Sequence, residues 1–130
     1  MSFTDVPSNV TRLNRSELFV PGSKPDLFTK AIQSKADIIC IDLEDAVAPP
    51  DKDQAKKNII EALNNLDFGS KTVSIRINGL DTTYCYRDVI DVMENSGERL
   101  DLMMIPKVGV PEDCYAIDML VTQIENKINR

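Results

Sequence analysis

The feature that most constrains the fold of this chain is a regular alternation between short β-rich runs and longer helical patterns. Four times, an apolar run of strand length is followed by a segment whose apolar residues recur at helical spacing. Strict alternation of this kind predicts parallel strands joined by right-handed crossovers. We therefore predict an α/β fold with four strands, at residues 17–20, 38–43, 72–77 and 102–105.

Two architectures fit this pattern: an open, doubly wound sheet and the first half of a (β/α)8 barrel. The chain has 130 residues, which suffices for one domain with a real core. It is well short of the roughly 250 residues of a complete barrel. We expect a polar N-terminal arm at residues 1–14, followed by one domain of four βα units at residues 15–130.

The charge balance and the apolar runs exclude two classes of partner. The chain carries 15 basic and 21 acidic residues, a net charge of −6, without a block of Lys and Arg, which argues against nucleic acid. No apolar run approaches the roughly 20 residues that span a bilayer, so we expect no membrane partner. The first ten residues lack the basic and apolar segments of a secretory signal, which predicts a cytoplasmic protein.

The chain contains no histidine and three widely spaced cysteines. Imidazole chemistry is therefore excluded, and neither a disulfide framework nor a zinc site is indicated. Cys40 lies within the apolar run IICI, where we interpret it as a small buried hydrophobic residue. Acid–base chemistry would fall to carboxylates, Lys, Tyr or water, and any metal would be a hard ion with oxygen ligands.

Three carboxylates, Asp42, Glu44 and Asp45, follow the second predicted strand. In both architectures ligands bind at the carboxyl ends of the strands, so these residues can form an acidic pocket that positions a base or orders the water around a metal. They can instead form a strand-end turn whose oxygens accept main-chain N–H bonds. Taken by themselves, these residues favour the turn.

Arg76 lies between two isoleucines inside a predicted strand. A permanent charge in such a place is costly unless it is paired or binds an anion. Arg76 therefore either recognises a substrate carboxylate or thioester oxygen, or forms a salt bridge with Glu44 or Asp45, and both can hold together. Lys24 and Lys30 follow a Pro-Gly turn at a predicted helix N-terminus, which is a weak indication of a phosphate site.

Four strings that share one order and spacing give this chain a specific resemblance. The strings RSELFVPGSKPDLFTKA, ADIICIDLEDAVAPPDKDQAKKNI, SIRINGLDT and LDLMMIPKVG resemble the HpcH/HpaI aldolase and citrate lyase β-subunit superfamily. Within it, DLEDAVAP, INGLDT and MMIPKVG look more like the malyl-CoA lyase branch than like citrate lyase β or citramalyl-CoA lyase. The resemblance covers residues 15–130.

The resemblance implies a TIM barrel, of which this chain is the N-terminal half. It implies an Mg²⁺-dependent carbon–carbon lyase that interconverts (S)-malyl-CoA with acetyl-CoA and glyoxylate, and β-methylmalyl-CoA with propionyl-CoA and glyoxylate. Members of the branch form homo-oligomers, usually trimers or hexamers. The two direct Mg²⁺ ligands of the family, a Glu and an Asp, would lie beyond residue 130, so we expect these 130 residues alone to be inactive.

The resemblance also assigns expected roles to individual residues. It implies that Arg76 contacts the substrate and stabilises enolate charge, and that Glu44 and Asp45 line the metal pocket. Contacts to the nucleotide and phosphates of CoA would come from Phe19, Lys24 and Lys30. Two alternatives stay open: a citrate lyase β or citramalyl-CoA lyase-like enzyme, and a non-catalytic half-barrel that binds CoA or another subunit.

Overall fold

The computed structural model describes residues 11–129, so most of the predicted arm at residues 1–14 lies outside the described part of the chain. The four predicted strands are present and form one sheet in the order β1-β2-β3-β4, with every neighbouring pair parallel. Four α-helices alternate with them. The elements are β1 (Glu17–Pro21), α1 (Phe28–Ile32), β2 (Ile38–Asp42), α2 (Lys52–Asn65), β3 (Thr72–Arg76), α3 (Cys85–Ser96), β4 (Leu102–Met104) and α4 (Pro111–Ile128).

The strand order decides between the two predicted architectures. In a doubly wound sheet the order of the strands reverses, whereas in a barrel each new strand is added on the same side as the last. Here each strand pairs with the one before it along the chain. The prediction of four consecutive βα units of barrel type is therefore confirmed.

The core forms where the apolar residues of the sheet meet those of the helices. The register aligns Val20, Ile41, Ile75 and Met103 in one row across the sheet. The first three are buried, and they share one apolar cluster with helix residues such as Ile59. The nearly continuous apolar character of β2 is explained by this position, because β2 is a central strand of a parallel sheet.

The boundaries differ from the predicted ones at the carboxyl ends of the strands. β2 ends at Asp42 and β3 at Arg76, each one residue before the predicted end, because the chain turns there into the loops that carry the polar residues. The predicted helix N-terminus near Lys24 is instead a 3-10 turn at Pro25–Leu27, and α1 follows this turn with only five residues. Among the described residues, no helix is long and apolar enough to cross a membrane.

Candidate active site

The pairing register of β2 and β3 places Asp42 directly beside Arg76 at the carboxyl ends of the strands. Arg76 donates from Nε to Asp42 Oδ1 at 2.8 Å and from Nη2 to Oδ2 at 2.6 Å, a two-pronged ion pair. The guanidinium also lies over the ring of Phe19, with Cζ 5.0 Å from the ring centre. These contacts fix the guanidinium plane, and the hydrogen bonds to Asp42 raise the pKa of Arg76 so that it stays charged.

Asp42 also shapes the loop that follows it. Its side chain is fully buried and accepts the main-chain N–H of Glu44 at 2.8 Å and that of Ala46 at 3.0 Å. Burial raises the pKa of the Asp42 carboxyl. The hydrogen bonds from Arg76 and from the two N–H groups outweigh burial and hold this pKa below its ordinary value. One carboxylate therefore positions both a cation and a loop.

The next two carboxylates of the loop face cationic groups. Glu44 is buried, with Oε2 3.4 Å from Arg76 Nη1 and Oε1 2.7 Å from Lys107 Nζ. Asp45 is exposed and lies 3.3 Å from the same ammonium. Lys107 follows β4 in a left-handed backbone conformation, with φ of 52°, and its contact with Glu44 raises its pKa. The sheet thus presents fixed positive and negative groups side by side at the carboxyl ends of its strands.

Lys52, at the start of α2, was not among the predicted site residues. Its side chain is 9% exposed, and Nζ donates to the carbonyl oxygens of Leu43 at 2.7 Å and Glu44 at 3.0 Å. The ammonium also lies 5.4 Å from the ring centre of Tyr84. Desolvation lowers the pKa of Lys52, while the surrounding acidic side chains oppose this shift. No spacing rule in the sequence indicates this contact.

A shallow pocket of about 200 Å³ opens between these residues and the loop after β3. Asn78 lies on its wall and donates from its main chain and from Nδ2 to Asp88 Oδ2, at 3.0 and 2.6 Å. Burial raises the pKa of the Asp88 carboxyl. The two hydrogen bonds from Asn78 to Asp88 anchor the loop after β3 within the protein. Most of the residues that line the pocket carry charged or polar groups, and the lining consists of Glu44, Asp45, Lys52, Asn78, Gly79, Asp81, Thr82, Tyr84 and Lys107.

The structure brings some of the predicted site residues together and separates others. Arg76, Glu44 and Phe19 form one contact group, and Asp45 lies at its rim. Lys24 precedes the 3-10 turn, and Lys30 lies in the last turn of α1, so the two lysines do not share a helix N-terminus. Neither lysine lines the pocket described above.

The salt bridge predicted for Arg76 is formed, but its principal partner is Asp42 rather than Glu44 or Asp45. The sequence offered one usable signal, because Asp42 and Arg76 are each the last residue but one of consecutive predicted strands, 38–43 and 72–77. The registration of the two strands, which the sequence pattern leaves open by several residues, decides the pair. The strand-end turn is also present, since Asp42 accepts two N–H bonds of the loop.

Residues 11–129 contain no group of three Asp, Glu, His or Cys side chains arranged to hold a metal ion. Carboxylate oxygens suit Mg²⁺ in chemical type. The Glu44 carboxylate, however, is engaged with Arg76 and Lys107, and Asp45 with Lys107. The described residues therefore do not fit a complete magnesium site by themselves.

Comparison with known proteins gives consistent results. The chain is 58% identical over 130 residues to L-malyl-CoA/beta-methylmalyl-CoA lyase of Cereibacter sphaeroides, which covers 100% of this chain and 41% of that protein. It is 38% identical over 122 residues to citrate lyase subunit beta of Leuconostoc mesenteroides subsp. cremoris, covering 94% of this chain and 39% of that protein. The chain thus spans about two fifths of the length of these relatives.

Solved structures and the family profile agree with these relatives. CitE from Mycobacterium tuberculosis, solved in complex with magnesium, acetoacetate and coenzyme A, matches with a TM-score of 0.63 and 26% identity. The match covers 81% of this chain and 38% of that chain. The profile of the HpcH/HpaI aldolase/citrate lyase family matches residues 15–130. The chain therefore belongs to the HpcH/HpaI aldolase/citrate lyase family.

Proposed function

We propose that this chain is the N-terminal part of a carbon–carbon lyase that cleaves (S)-malyl-CoA to acetyl-CoA and glyoxylate, and β-methylmalyl-CoA to propionyl-CoA and glyoxylate. The observation that carries the proposal is the guanidinium of Arg76, held rigidly by Asp42 at the carboxyl ends of the strands. The 58% identity to a lyase of this name supports the choice of substrate.

The reaction needs a fixed cation beside the thioester oxygen, where negative charge develops. When the C–C bond breaks, its electron pair moves onto the thioester to give an enolate, and the hydroxyl proton leaves as the glyoxylate carbonyl forms. The enolate carbon then takes up a proton, so the products together contain the atoms of the substrate. Of the five N–H groups of Arg76, Asp42 accepts two and Glu44 Oε2 lies 3.4 Å from Nη1, and the remaining N–H groups of Nη1 and Nη2 can donate to the enolate oxygen. A preorganised donor stabilises developing charge without reorganisation during the reaction.

We assign Glu44 and Asp45 to the wall of a Mg²⁺ pocket whose direct ligands come from outside the described residues. The magnesium complex of CitE supports a magnesium ion in the complete protein. Such an ion would supply Lewis-acid chemistry. The role of this chain is to hold two carboxylates beside Arg76 and Lys107, so that the charges of the pocket are balanced before substrate enters.

Phe19, Lys24 and Lys30 are the residues we assign to CoA. Phe19 is 42% exposed and contributes an open ring edge beside Arg76. Lys24 and Lys30 are exposed cations on the β1–α1 segment and suit the phosphates of the nucleotide. The coenzyme A complex of CitE supports CoA as a ligand of the complete protein.

The test uses the complete polypeptide that contains these residues, supplied with Mg²⁺ and malyl-CoA, and follows glyoxylate as its hydrazone. We expect cleavage in the wild type and a loss of about 100- to 1,000-fold in kcat for Arg76→Met, the range found when one oxyanion donor is removed. Asp118→Asn, at an exposed position of α4, serves as the control and should match the wild type.

A second candidate is a citryl- or citramalyl-thioester lyase, which the 38% identity to citrate lyase subunit beta favours. The same assay with those thioesters separates the two candidates. Cleavage of citryl or citramalyl thioesters without cleavage of malyl-CoA would refute the malyl-CoA assignment. A complete polypeptide that cleaves none of the three would refute the lyase proposal and leave a non-catalytic CoA-binding or assembly role.

A further inference from the structure

Lys52 is a buried cation whose polar contacts are unusual. Within residues 11–129 no carboxylate oxygen lies within 4.0 Å of its ammonium, so its burial is not explained by an ion pair. Its hydrogen bonds instead go to two consecutive main-chain carbonyls, those of Leu43 and Glu44. Burying an ammonium is costly unless its hydrogen bonds are satisfied. The contacts that compensate for this cost are therefore bonds to the loop that carries the acidic pair.

Asp42 holds the same loop from the other side. Its carboxylate accepts hydrogen bonds from the N–H groups of Glu44 and Ala46, while the ammonium of Lys52 donates to the carbonyl oxygens of Leu43 and Glu44. The main chain of Glu44 is thus fixed at both its donor and its acceptor. Four hydrogen bonds of 2.7–3.0 Å leave little freedom for the peptide plane that aims the Glu44 carboxylate.

The Lys52 ammonium also contacts an aromatic ring of the pocket. It lies 5.4 Å from the ring centre of Tyr84, which lines the same pocket as Glu44 and Asp45. The residue before it, Asp51, closes the 3-10 turn at Pro49–Asp51, so the start of α2 carries Lys52 to this place. By contrast, Lys57 on the same helix is exposed. The chain therefore offers a matched lysine that lacks these contacts.

We infer that Lys52 is a positioning residue of the lyase site, which acts by locking the 43–46 loop so that Glu44 is held against Arg76 and Lys107. The expected effect on catalysis rests on the proposed function. The locking of the 43–46 loop rests on the geometry alone. Lys52 itself touches no reacting atom. It sets the placement of the carboxylate that does face the pocket.

The test compares Lys52→Met and Lys52→Arg with the control Lys57→Met in the complete polypeptide. We expect Lys52→Met to lower kcat by about 10- to 100-fold, the range expected for a misplacement of about 1 Å, with the KM for malyl-CoA changed less than threefold. Main-chain amide exchange at Glu44 and Ala46 should accelerate at least about tenfold. Lys52→Arg keeps the charge and should recover part of both values, and Lys57→Met should match the wild type.

The rate of malyl-CoA cleavage tests the proposed function, and amide exchange at Glu44 and Ala46 tests the loop lock. If the wild type cleaves no malyl-CoA but Lys52→Met still accelerates exchange at Glu44 and Ala46, the lyase proposal fails and the loop lock stands. Wild-type kcat together with wild-type exchange in Lys52→Met would overturn the inference. If Lys52→Met does not fold, Lys52→Gln decides, because the shorter neutral amide cannot replace the ammonium: faster exchange at Glu44 and Ala46 supports the lock, and wild-type exchange overturns it.

Discussion

The buried ion pair between Asp42 and Arg76 allows a quantitative prediction of stability. Each oxygen of the Asp42 carboxylate accepts two bonds: Oδ1 from Arg76 Nε and the Glu44 N–H, and Oδ2 from Arg76 Nη2 and the Ala46 N–H. The variant Asp42→Asn keeps the shape but replaces one oxygen with an NH2 group. In either orientation of the amide, that NH2 faces two donors, so two hydrogen bonds are lost and no proton acceptor remains there.

The expected loss follows from these contacts. Hydrogen bonds to charged groups contribute about 1.5–3 kcal/mol each, which gives about 3–6 kcal/mol for two. Asp42 is 0% exposed but the Arg76 side chain is 23% exposed, so water can rehydrate the guanidinium and reduce the loss. We therefore expect a decrease of about 3 kcal/mol in the free energy of unfolding, the lower end of the range for a buried pair that loses one partner.

Urea denaturation followed by far-ultraviolet circular dichroism measures this decrease. The linear slope should be unchanged, so that the shift of the midpoint reports stability alone. Asp118→Asn, an exposed Asp on α4, is the matched control and should change the free energy of unfolding by less than about 0.5 kcal/mol. A decrease below about 1 kcal/mol for Asp42→Asn at an unchanged slope would show that the pair behaves like a surface salt bridge, which would refute the reasoning.

Three further predictions concern other parts of the molecule. Gly22→Ala should lower the free energy of unfolding by about 1–3 kcal/mol in the same assay, because the added Cβ would meet the Asp42 carbonyl oxygen at 3.0 Å and buried side chains at 3.1 and 3.2 Å. The Asp37 carboxyl, bonded to Arg15, should titrate by NMR with a pKa of about 2, and Arg15→Gln should return this pKa toward about 3.9. The stabilisation from this depressed pKa is present above about pH 4 and is lost as the pH falls toward 2, and an unshifted wild-type titration would contradict it. In the native protein iodoacetamide at pH 8 should modify Cys114 only, since the other two cysteines are buried, and mass spectrometry of the peptides identifies the site.

The expected selectivity of iodoacetamide for Cys114 follows from the burial of the other two cysteines. Burial raises the pKa of the Cys40 thiol to about 12, so almost no thiolate is present at pH 8 and access is blocked as well. Burial also raises the pKa of Cys85. Modification of Cys40 at the rate of Cys114 would show that the sheet opens under native conditions. The interpretation of Cys40 as a small buried residue, made from the run IICI, agrees with its exposure of 0%.

Much of the fold was predictable because it depends on local patterns. Apolar runs such as 38–43 are buried from both faces in a parallel sheet, and helices such as α4 begin at a proline and carry an apolar stripe. Errors lie at the ends of elements. The first helix shows this best, since local hydrogen bonds such as that from the Leu27 N–H to the Lys24 carbonyl oxygen, at 3.0 Å, form a 3-10 turn before its five residues.

Local patterns in the chain predict the alternation of strands and helices, the polar residues at the carboxyl ends of the strands, and the need of Arg76 for a partner. Strand register and packing then determine that this partner is Asp42, that Lys107 reaches Glu44 from the loop after β4, and that Lys52 donates to the carbonyls of the loop after β2. Strand patterns repeat every two residues and helix patterns every 3.6 residues, so both can be recognised from a short segment of the sequence. The pairing of Asp42 with Arg76 spans 34 residues and follows from the register of two strands, which is fixed when the whole core closes.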